Sequence, residues 1–241
     1  MHSRWSLRPL GFPGRVFEGV SPEVLDDLQA RGTVLTLQAS ERILSEGEFD
    51  LSFFTLLSGS VRVFYQSPTG NQLTCKIFGA PAVFGEMECL MLRPYMESVV
   101  TLEPSIVHKL PRAQFLEVLD RAPQLTRNLL EDLARRLAVA ADHERSLAFH
   151  SVETRLANIL LGYVRDYSEP VAGGRRIRIP LTHDELSLAL GVAKKSVTRA
   201  MKLWRERGIL DKSGAHWVVL DQAALAEIGD PSMLSLSYRM K

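Results

Sequence analysis

The sequence predicts an α+β protein in three parts: a strand-rich N-terminal domain, one long helix and a C-terminal winged helix-turn-helix. Three observations support this order. Short strand-like runs with regularly spaced glycines fill the first half, a hydrophobic heptad repeat follows, and two short helices flank a tight glycine turn near the carboxyl end. With 241 residues and 46% hydrophobic content, the chain is long enough to bury two modest cores.

The first half, from about residue 16 to 110, reads as a set of short strands. Segments such as FFTLLSGSVRVFYQ and NQLTCKIFG are rich in β-branched and aromatic residues and are flanked by turn residues. Several such strands separated by turn signals indicate a sandwich or barrel. A short helix around SPEVLDDLQARG precedes them, with Pro22 at a position that suits a first helical turn.

A long helix is predicted from about Pro123 to Phe149. Apolar positions recur at alternating spacings of four and three, which gives a heptad seam of Thr126, Leu130, Leu133, Leu137, Ala140, Glu144 and Leu147. Leu125, Leu129 and Val139 lie off this seam and are expected to pack on the β-domain. A single amphipathic helix needs one apolar face, whereas two faces favour a parallel coiled coil between protomers. The predicted dimer interface is Leu130, Leu133, Leu137, Ala140 and Leu147.

A helix-turn-helix is predicted over residues 181–210. Thr182 and Glu185 form a capping box, so a helix begins there, and Gly191 ends it in left-handed geometry. After a tight turn, a second helix carries Val197, Met201 and Trp204 on one side. Its other side is basic and rich in hydrogen-bond donors, with Lys194, Lys195, Thr198, Arg199 and Lys202. Such a helix suits the major groove of double-stranded DNA.

A surface helical hairpin with solvated lysines would show the same basic face, and two further features favour DNA binding. The turn Ser213-Gly214 sits between strand-like runs and predicts a β-hairpin wing. Residues 150–241 hold 14 basic and 10 acidic residues, whereas the rest of the chain holds 15 and 18. The positive charge therefore lies where phosphate binding requires it.

Upstream of this element, VETRLANILLGYVRDY predicts a helix that leads to a loop with Pro170 and a short strand, RIRIPL.

Composition excludes several classes of protein. No apolar run is long enough for a transmembrane helix, and the N-terminus lacks the apolar region of a secretory signal. Cys75 and Cys89 lack the spacing of a metal or iron–sulfur site, and their apolar surroundings predict buried, inert thiols. We therefore expect a cytoplasmic protein without a cofactor and without a membrane partner.

Four segments follow one another in a recognisable order: LLSGSVRVF, then Phe84-Gly85-Glu86, then ARRLAVAADHERSLAF, then the helix-turn-helix. This order resembles the cyclic-AMP receptor protein and Fnr family of bacterial transcription regulators, over about residues 17–228. The resemblance implies a cyclic-nucleotide-binding-like β-roll or jelly roll (17–122), a dimerisation helix (123–149) and a winged helix-turn-helix DNA-binding domain (150–228). It also implies a homodimer on an inverted-repeat site, with RNA polymerase as a further candidate partner.

The resemblance also implies DNA-contacting residues. The family's base-contacting positions correspond to Lys194, Lys195 and Arg199, and Ser196 and Thr198 on the same helix are also predicted to contact DNA. Lys195 stands where many members carry Glu, so its base preference should differ from theirs, because lysine can only donate. Thr182 and His183, at the start of the first helix, are expected to contact phosphate.

The ligand pocket departs from the pattern of cyclic-nucleotide binders. In those members a Gly-Glu pair holds the ribose, and an Arg followed by Ser or Thr holds the cyclic phosphate. Gly85 and Glu86 are present and Ser98 aligns, but Glu97 stands at the Arg position, or Met96 if the gap is placed otherwise. A carboxylate repels a phosphate and methionine offers no donor.

The base end of that pocket has changed as well. Ala140 and Ala141 replace the hydroxyl residues that meet the base in cyclic-AMP binders. The sequence therefore predicts a regulator that acts without cyclic AMP. The alternative is a regulator gated by a cyclic nucleotide or another small ligand, in which Arg93 substitutes for the missing arginine.

Other signals of the family, and other functions, fit less well. Residues 1–74 contain no cysteine, which argues against an Fnr-type iron–sulfur sensor. His108 and His143 are candidate haem ligands, although each is expected to be a polar surface residue. A metal-dependent oxygenase or isomerase on a β-roll would need several histidines in the β-region, which holds His108 alone. The sequence thus predicts a transcription regulator and not an enzyme.

Overall fold

The computed structural model describes residues 15–70 and 72–230. Within this range the chain forms two compact units. The first takes residues up to 70 together with 77–134, and the second takes residues 72–76 together with 135–230.

The first unit begins with a short helical stretch. A 3-10 turn at Arg15–Phe17 leads to α1 (Pro22–Arg31), whose N-cap Ser21 accepts a hydrogen bond from the amide of Val24. The helix that the sequence predicts here, with Pro22 in its first turn, is confirmed.

Two four-stranded sheets form the β-domain, and all of their residues belong to the first unit except 72–76, which belong to the second. The strands are β1 (Thr33–Leu37), β2 (Arg42–Leu44), β3 (Ser52–Ser58), β4 (Ser60–Gln66), β5 (Gln72–Gly79), β6 (Ala82–Phe84), β7 (Ser98–Thr101) and β8 (Ser105–Pro111). One sheet has the order β1-β8-β3-β6 and the other β2-β7-β4-β5. Residues from both sheets share one apolar core, which includes Phe53, Leu56, Val61 and Val99. This is the predicted β-domain of an α+β protein.

Helices flank these sheets. A short helix, α2 (Glu86–Met91), joins β6 to β7, and α3 (Arg112–Arg121) follows β8. Phe53 on β3 stacks on Phe115 of α3, with ring centroids 4.4 Å apart, so α3 packs on the sheet through an aromatic pair.

The long helix α4 (Pro123–Phe149) has the bounds that the heptad pattern predicts. Leu125 and Leu129 are buried in the core of the first unit, as expected, and the amide of Asn128 donates to the carbonyls of Val16 and Glu18. Val139, further along the helix, is 38% exposed, and its packing on the β-domain stays a prediction. The off-seam face is covered at Leu125 and Leu129 and is open to solvent at Val139.

The second unit combines helices with one four-stranded sheet. It contains α5 (Val152–Tyr167), β9 (Ser168–Val171), β10 (Gly174–Ile177), α6 (His183–Leu190), α7 (Lys194–Glu206), β11 (Leu210–Ser213), β12 (His216–Val219) and α8 (Gln222–Ile228). Its sheet has the order β11-β12-β10-β9. The helix-turn-helix and its wing are therefore formed as predicted.

The stretch before the helix-turn-helix differs from the prediction. The expected loop around Pro170 is the strand β9, and the expected strand RIRIPL pairs two residues earlier, at Gly174–Ile177. Pro170 is tolerated because β9 is the edge strand of its sheet, where a missing backbone donor breaks no inner ladder.

The structure places the side chains of His108 and Cys75 differently from what the sequence predicts. His108 is buried on β8, between β1 and β3, and is not a surface residue, whereas His143 is exposed on α4 as expected. Cys89 is fully buried, and burial raises the pKa of its thiol to about 12, so it is inert. Cys75 is only half-buried, which corrects the expectation that both thiols lie in the core.

None of the helices in residues 15–70 and 72–230 combines the length and the apolarity that a membrane span requires.

Candidate DNA-binding site and sensor pocket

The amino end of α6 is fixed by the predicted capping box. The amide of Glu185 donates to the Thr182 hydroxyl at 3.1 Å, and the amide of Thr182 donates to a carboxylate oxygen of Glu185 at 2.6 Å. These reciprocal bonds satisfy donors that the helix cannot pair itself. Thr182 is exposed, so its hydroxyl and the helix terminus face solvent.

The turn between α6 and α7 depends on Gly191. Its φ is +65°, a left-handed conformation that side-chain-bearing residues adopt only with strain, and it ends α6 directly after Leu190. Three residues later α7 begins at Lys194. The tight connection brings the exposed amino ends of both helices to one side of the unit.

The recognition helix α7 has one buried and one exposed face. Its buried side chains are Val197, Ala200, Met201 and Trp204. The opposite face exposes Lys194, Lys195, Thr198, Arg199 and Lys202, while Ser196 is half-buried. Within the residues that the structure describes, Lys195 and Arg199 take part in no ion pair, so their donors are available to an incoming ligand.

Lys194 has an acidic neighbour that the sequence reasoning missed. Its ammonium lies 2.6 Å from a carboxylate oxygen of Asp184, and both side chains are exposed. Asp184 reads in the sequence as an ordinary first-turn acid of α6, and no local signal connects it to a residue ten positions later. An exposed pair of this kind contributes little stability, so phosphate can replace Asp184 at small cost.

His183 links three elements of the unit. Its Nδ1 lies 3.3 Å from the hydroxyl of Thr198, and its ring stacks on Trp217 with centroids 5.4 Å apart and planes 26° apart. Its Nε2 is buried and has no hydrogen-bond partner among the described residues. Burial, and then the charges of Lys212 and Lys194, lower the pKa of His183, so the imidazole is neutral near pH 7.

The wing contributes residues that the sequence reasoning did not assign to the site. Trp217, on β12, is fully buried and donates its indole N–H to the carbonyl of Leu181 at 2.8 Å. Lys212, on β11, holds its ammonium 5.5 Å from the centre of the Trp217 ring. The Trp217 hydrogen bond thereby joins the wing to the segment that leads into α6. Lys212 adds an exposed cation near the basic face of α7.

The candidate ligand pocket begins at Gly85. This glycine has a φ of +79°, and a β-carbon there would lie 2.5 Å from the carbonyl oxygen of Ser52, so only glycine fits. Glu86, the first residue of α2, is buried. The Gly-Glu pair is thus formed as a rigid, closed turn.

Ser98, the residue that aligns with the phosphate-binding hydroxyl of cyclic-nucleotide binders, has a partner within the protein. Ser98 is buried, and its hydroxyl accepts a hydrogen bond from the amide of Glu46 at 3.0 Å. Glu97, beside it, is half-buried, whereas Arg93 is exposed. Accepting this bond does not use the Ser98 O–H, so the hydroxyl can still donate, and the departure from the cyclic-nucleotide pattern here is the neighbouring carboxylate of Glu97.

On α4, the residues predicted for the base end of the pocket and for the dimer interface are mostly exposed. Ala140 and Ala141 both face solvent. Leu130, Leu137 and Leu147 are 62%, 72% and 51% exposed, while Leu133 packs partly against the core of the first unit. Three of the four seam leucines are therefore exposed to water, and Leu133 is the exception.

An antiparallel β-domain, a long helix and a winged helix-turn-helix with a basic recognition helix define a helix-turn-helix transcription regulator. Residues 34–122 match the cyclic nucleotide-binding domain family, and residues 154–228 match the Crp-like helix-turn-helix domain family. The chain belongs to the cyclic-AMP receptor protein and Fnr family of transcription regulators, and the resemblance drawn from its sequence is confirmed. The family is one of regulators and not of enzymes.

Relatives and solved structures agree with this assignment. The chain is 24% identical to the CRP-like cAMP-activated global transcriptional regulator of Mycobacterium tuberculosis over 211 residues, 88% of this chain and 94% of that protein. It is 27% identical to the cyclic AMP receptor protein of Thermus thermophilus over 212 residues, again 88% and 94%. FixK2 from Bradyrhizobium japonicum shares the fold, with a TM-score of 0.72 and 22% identity over 82% of this chain and 97% of that one.

Proposed function

We propose that this regulator binds an inverted-repeat DNA site as a homodimer and does so without cyclic AMP, in the cytoplasm. The observation that carries the proposal is the exposed basic face of α7, held outward by the buried Val197, Met201 and Trp204. A helix presented in this way fits the major groove, where cationic and amide side chains read base edges.

Base reading is assigned to Lys194, Lys195 and Arg199. Lys195 and Arg199 lie one helical turn apart, so they reach neighbouring base pairs on the same face. Arg199 has a planar guanidinium that can bind guanine at two atoms, which contributes about 1–3 kcal/mol of discrimination. Lys195 can only donate, so it favours an acceptor such as guanine over the cytosine that Glu would select.

Phosphate contacts are assigned to the exposed amino end of α6. Thr182 is exposed there, and helix amino ends attract anions through their free amides and dipole. The sequence also predicts His183 as a phosphate contact. Because its Nε2 is buried, we assign that contact to Thr182 instead.

Dimerisation is assigned to α4. Large leucines exposed in a row, as Leu130, Leu137 and Leu147 are, cost free energy in water and are covered most simply by the same seam of a second copy. Two recognition helices related by a twofold axis would then meet half-sites about one helical turn, ~34 Å, apart.

Independence from cyclic AMP follows from the altered pocket. The mycobacterial relative is named for activation by cyclic AMP. In this chain Glu97 stands where a cation should hold the phosphate, and removing one partner of a buried charged pair costs about 2–5 kcal/mol, roughly 30- to 4,000-fold in affinity. A nucleotide that does not bind cannot shift the protein toward its DNA-binding state.

In vitro selection of DNA by the purified wild-type protein tests this proposal. We expect an inverted repeat to be enriched to the same degree with and without cyclic AMP or cyclic GMP. Calorimetry with each nucleotide should give no saturable isotherm in the low micromolar range. A saturable isotherm that Arg93→Ala abolishes would establish the alternative, a ligand-gated regulator that uses Arg93.

A further inference from the structure

We infer that His183 is a positioning residue: it orients the recognition helix α7 through Thr198 and does not bind DNA itself. The inference rests on the proposed function, since it concerns how α7 is held for base reading. Three elements meet at this imidazole, namely α6 through its own backbone, α7 through Thr198 and the wing through Trp217.

The wing side of the contact is rigid. Trp217 is fully buried, and its indole N–H is bonded to the carbonyl of Leu181, two residues before His183. The His183 ring therefore packs on a buried indole that is itself hydrogen-bonded to the backbone at Leu181. The stacking fixes the plane of the imidazole. In this plane, Nδ1 lies 3.3 Å from the Thr198 hydroxyl.

The α7 side of the contact lies within the base-reading face. Thr198 directly precedes Arg199 and is exposed on the same side of the helix. A hydrogen bond between Thr198 and a fixed imidazole restrains rotation of α7 about its own axis. Small rotations would move the Arg199 guanidinium away from base edges. The loss of affinity would fall on the selected sequence, because base contacts carry sequence information and phosphate contacts do not.

Burial and the charged groups around His183 together favour its neutral form. Burial is the largest influence against protonation of the imidazole. The cations of Lys212 on β11 and of Lys194 and Arg205 on α7 also oppose protonation, whereas Asp184 on α6 favours it. The neutral ring stacks and hydrogen-bonds without adding another cation to an already basic surface.

A double-mutant cycle on DNA binding tests the inference. Thr198→Val removes the hydroxyl with little change in shape, Thr198→Ser retains it, and His183→Phe retains the stacked ring without Nδ1. Affinity is measured on the selected duplex and on a duplex of random sequence. We expect T198V and H183F each to lose about fivefold on the selected duplex only, the worth of one hydrogen bond, and T198S to stay within twofold.

The double variant distinguishes positioning from direct contact. If His183 acts through Thr198, T198V together with H183F should lose no more than either single variant. Additive losses would show that His183 and Thr198 act independently, and equal losses on both duplexes would show that the substituted residue contacts phosphate; either result would overturn the inference. His183→Leu, which also lacks nitrogen, replaces H183F in the cycle if that variant does not fold. If the wild-type protein has no preference for the selected duplex, the proposed function itself fails, and the inference fails with it.

Discussion

The ammonium of Lys194, the first residue of α7, lies 2.6 Å from the carboxylate of Asp184, the second residue of α6. The two helices of the helix-turn-helix are thus joined by an ion pair at the end that faces DNA in our proposal. Asp184 partly neutralises the basic face when DNA is absent. It becomes an unfavourable negative charge when phosphates approach.

Replacing Asp184 by Asn should therefore strengthen DNA binding. The exposed pair contributes at most about 1 kcal/mol, so we expect a gain of up to about fivefold in affinity at low salt, with the gain shrinking as salt rises. Fluorescence anisotropy on the selected duplex measures it. Glu227→Gln on α8 removes the same charge from another exposed helix position and serves as the control. Weaker binding by D184N would mean that the pair holds α7 in place.

Arg199→Ala should alter specificity more than general affinity. Loss of a bidentate contact to guanine costs about 1–3 kcal/mol at one base pair, so the selected sequence logo should flatten at one position of each half-site. Lys202→Ala, one turn further along the same exposed face, is the comparison and should lower affinity evenly across sequences. If R199A also lowers affinity evenly, Arg199 is a phosphate contact.

Leu130→Lys combined with Leu137→Lys should produce a monomer. Both leucines are exposed, so the charges disturb the seam and spare the core, whereas Leu133 packs against the core and its replacement would threaten folding. Sedimentation should show a single chain, and affinity for the inverted repeat should collapse with it. Val139→Lys places the same charge off the seam and should remain dimeric. A tight complex formed by the monomeric variant would contradict the assignment of α4.

Acidification should destabilise the first unit through His108. Burial lowers the pKa of this histidine, and the carbonyls of Gln29 and Leu28 offset the effect only in part. Between the lowered folded value and about 6.5, the unfolded chain binds more protons than the folded one. The stability that a neutral His108 provides is therefore complete above about pH 6.5 and is lost as pH falls through the folded pKa.

Denaturant unfolding at a series of pH values measures this effect, with His108→Gln as the control. The free energy of unfolding of the wild-type protein should fall more steeply on acidification than that of H108Q. Equal slopes would show that His108 protonates as readily in the folded state as in the unfolded one.

The sequence predicted most successfully those features that arise from local signals. The capping box of Thr182 and Glu185, the left-handed Gly191 and the bounds of α4 are each encoded within a few residues, and each is confirmed. The strand β9 was missed because Pro170 indicates a loop, and the residue is compatible with a strand only because β9 forms an edge.

Features that depend on distant residues could not be predicted. His108 looks like a surface residue until β1 and β3 pair on either side of β8. The stacking of His183 on Trp217 and the ion pair of Asp184 with Lys194 likewise require the tertiary arrangement of α6, α7 and the wing. In the candidate site, residue types at predicted helix positions indicated the basic face, whereas the partners that hold those residues emerged only from the fold.

The stoichiometry of the protein–DNA complex distinguishes a homodimer that reads an inverted repeat without cyclic AMP from any other mode of binding. Analytical ultracentrifugation of the wild-type protein with a duplex carrying two selected half-sites, and no nucleotide, should give two chains per duplex in a single cooperative step. A duplex whose half-sites are moved apart by about half a helical turn should bind far more weakly, because the twofold axis can no longer serve both. One chain per duplex, indifference to the spacing, or binding that appears only after cyclic AMP is added would show that the protein is not a cyclic-AMP-independent dimeric reader of inverted repeats.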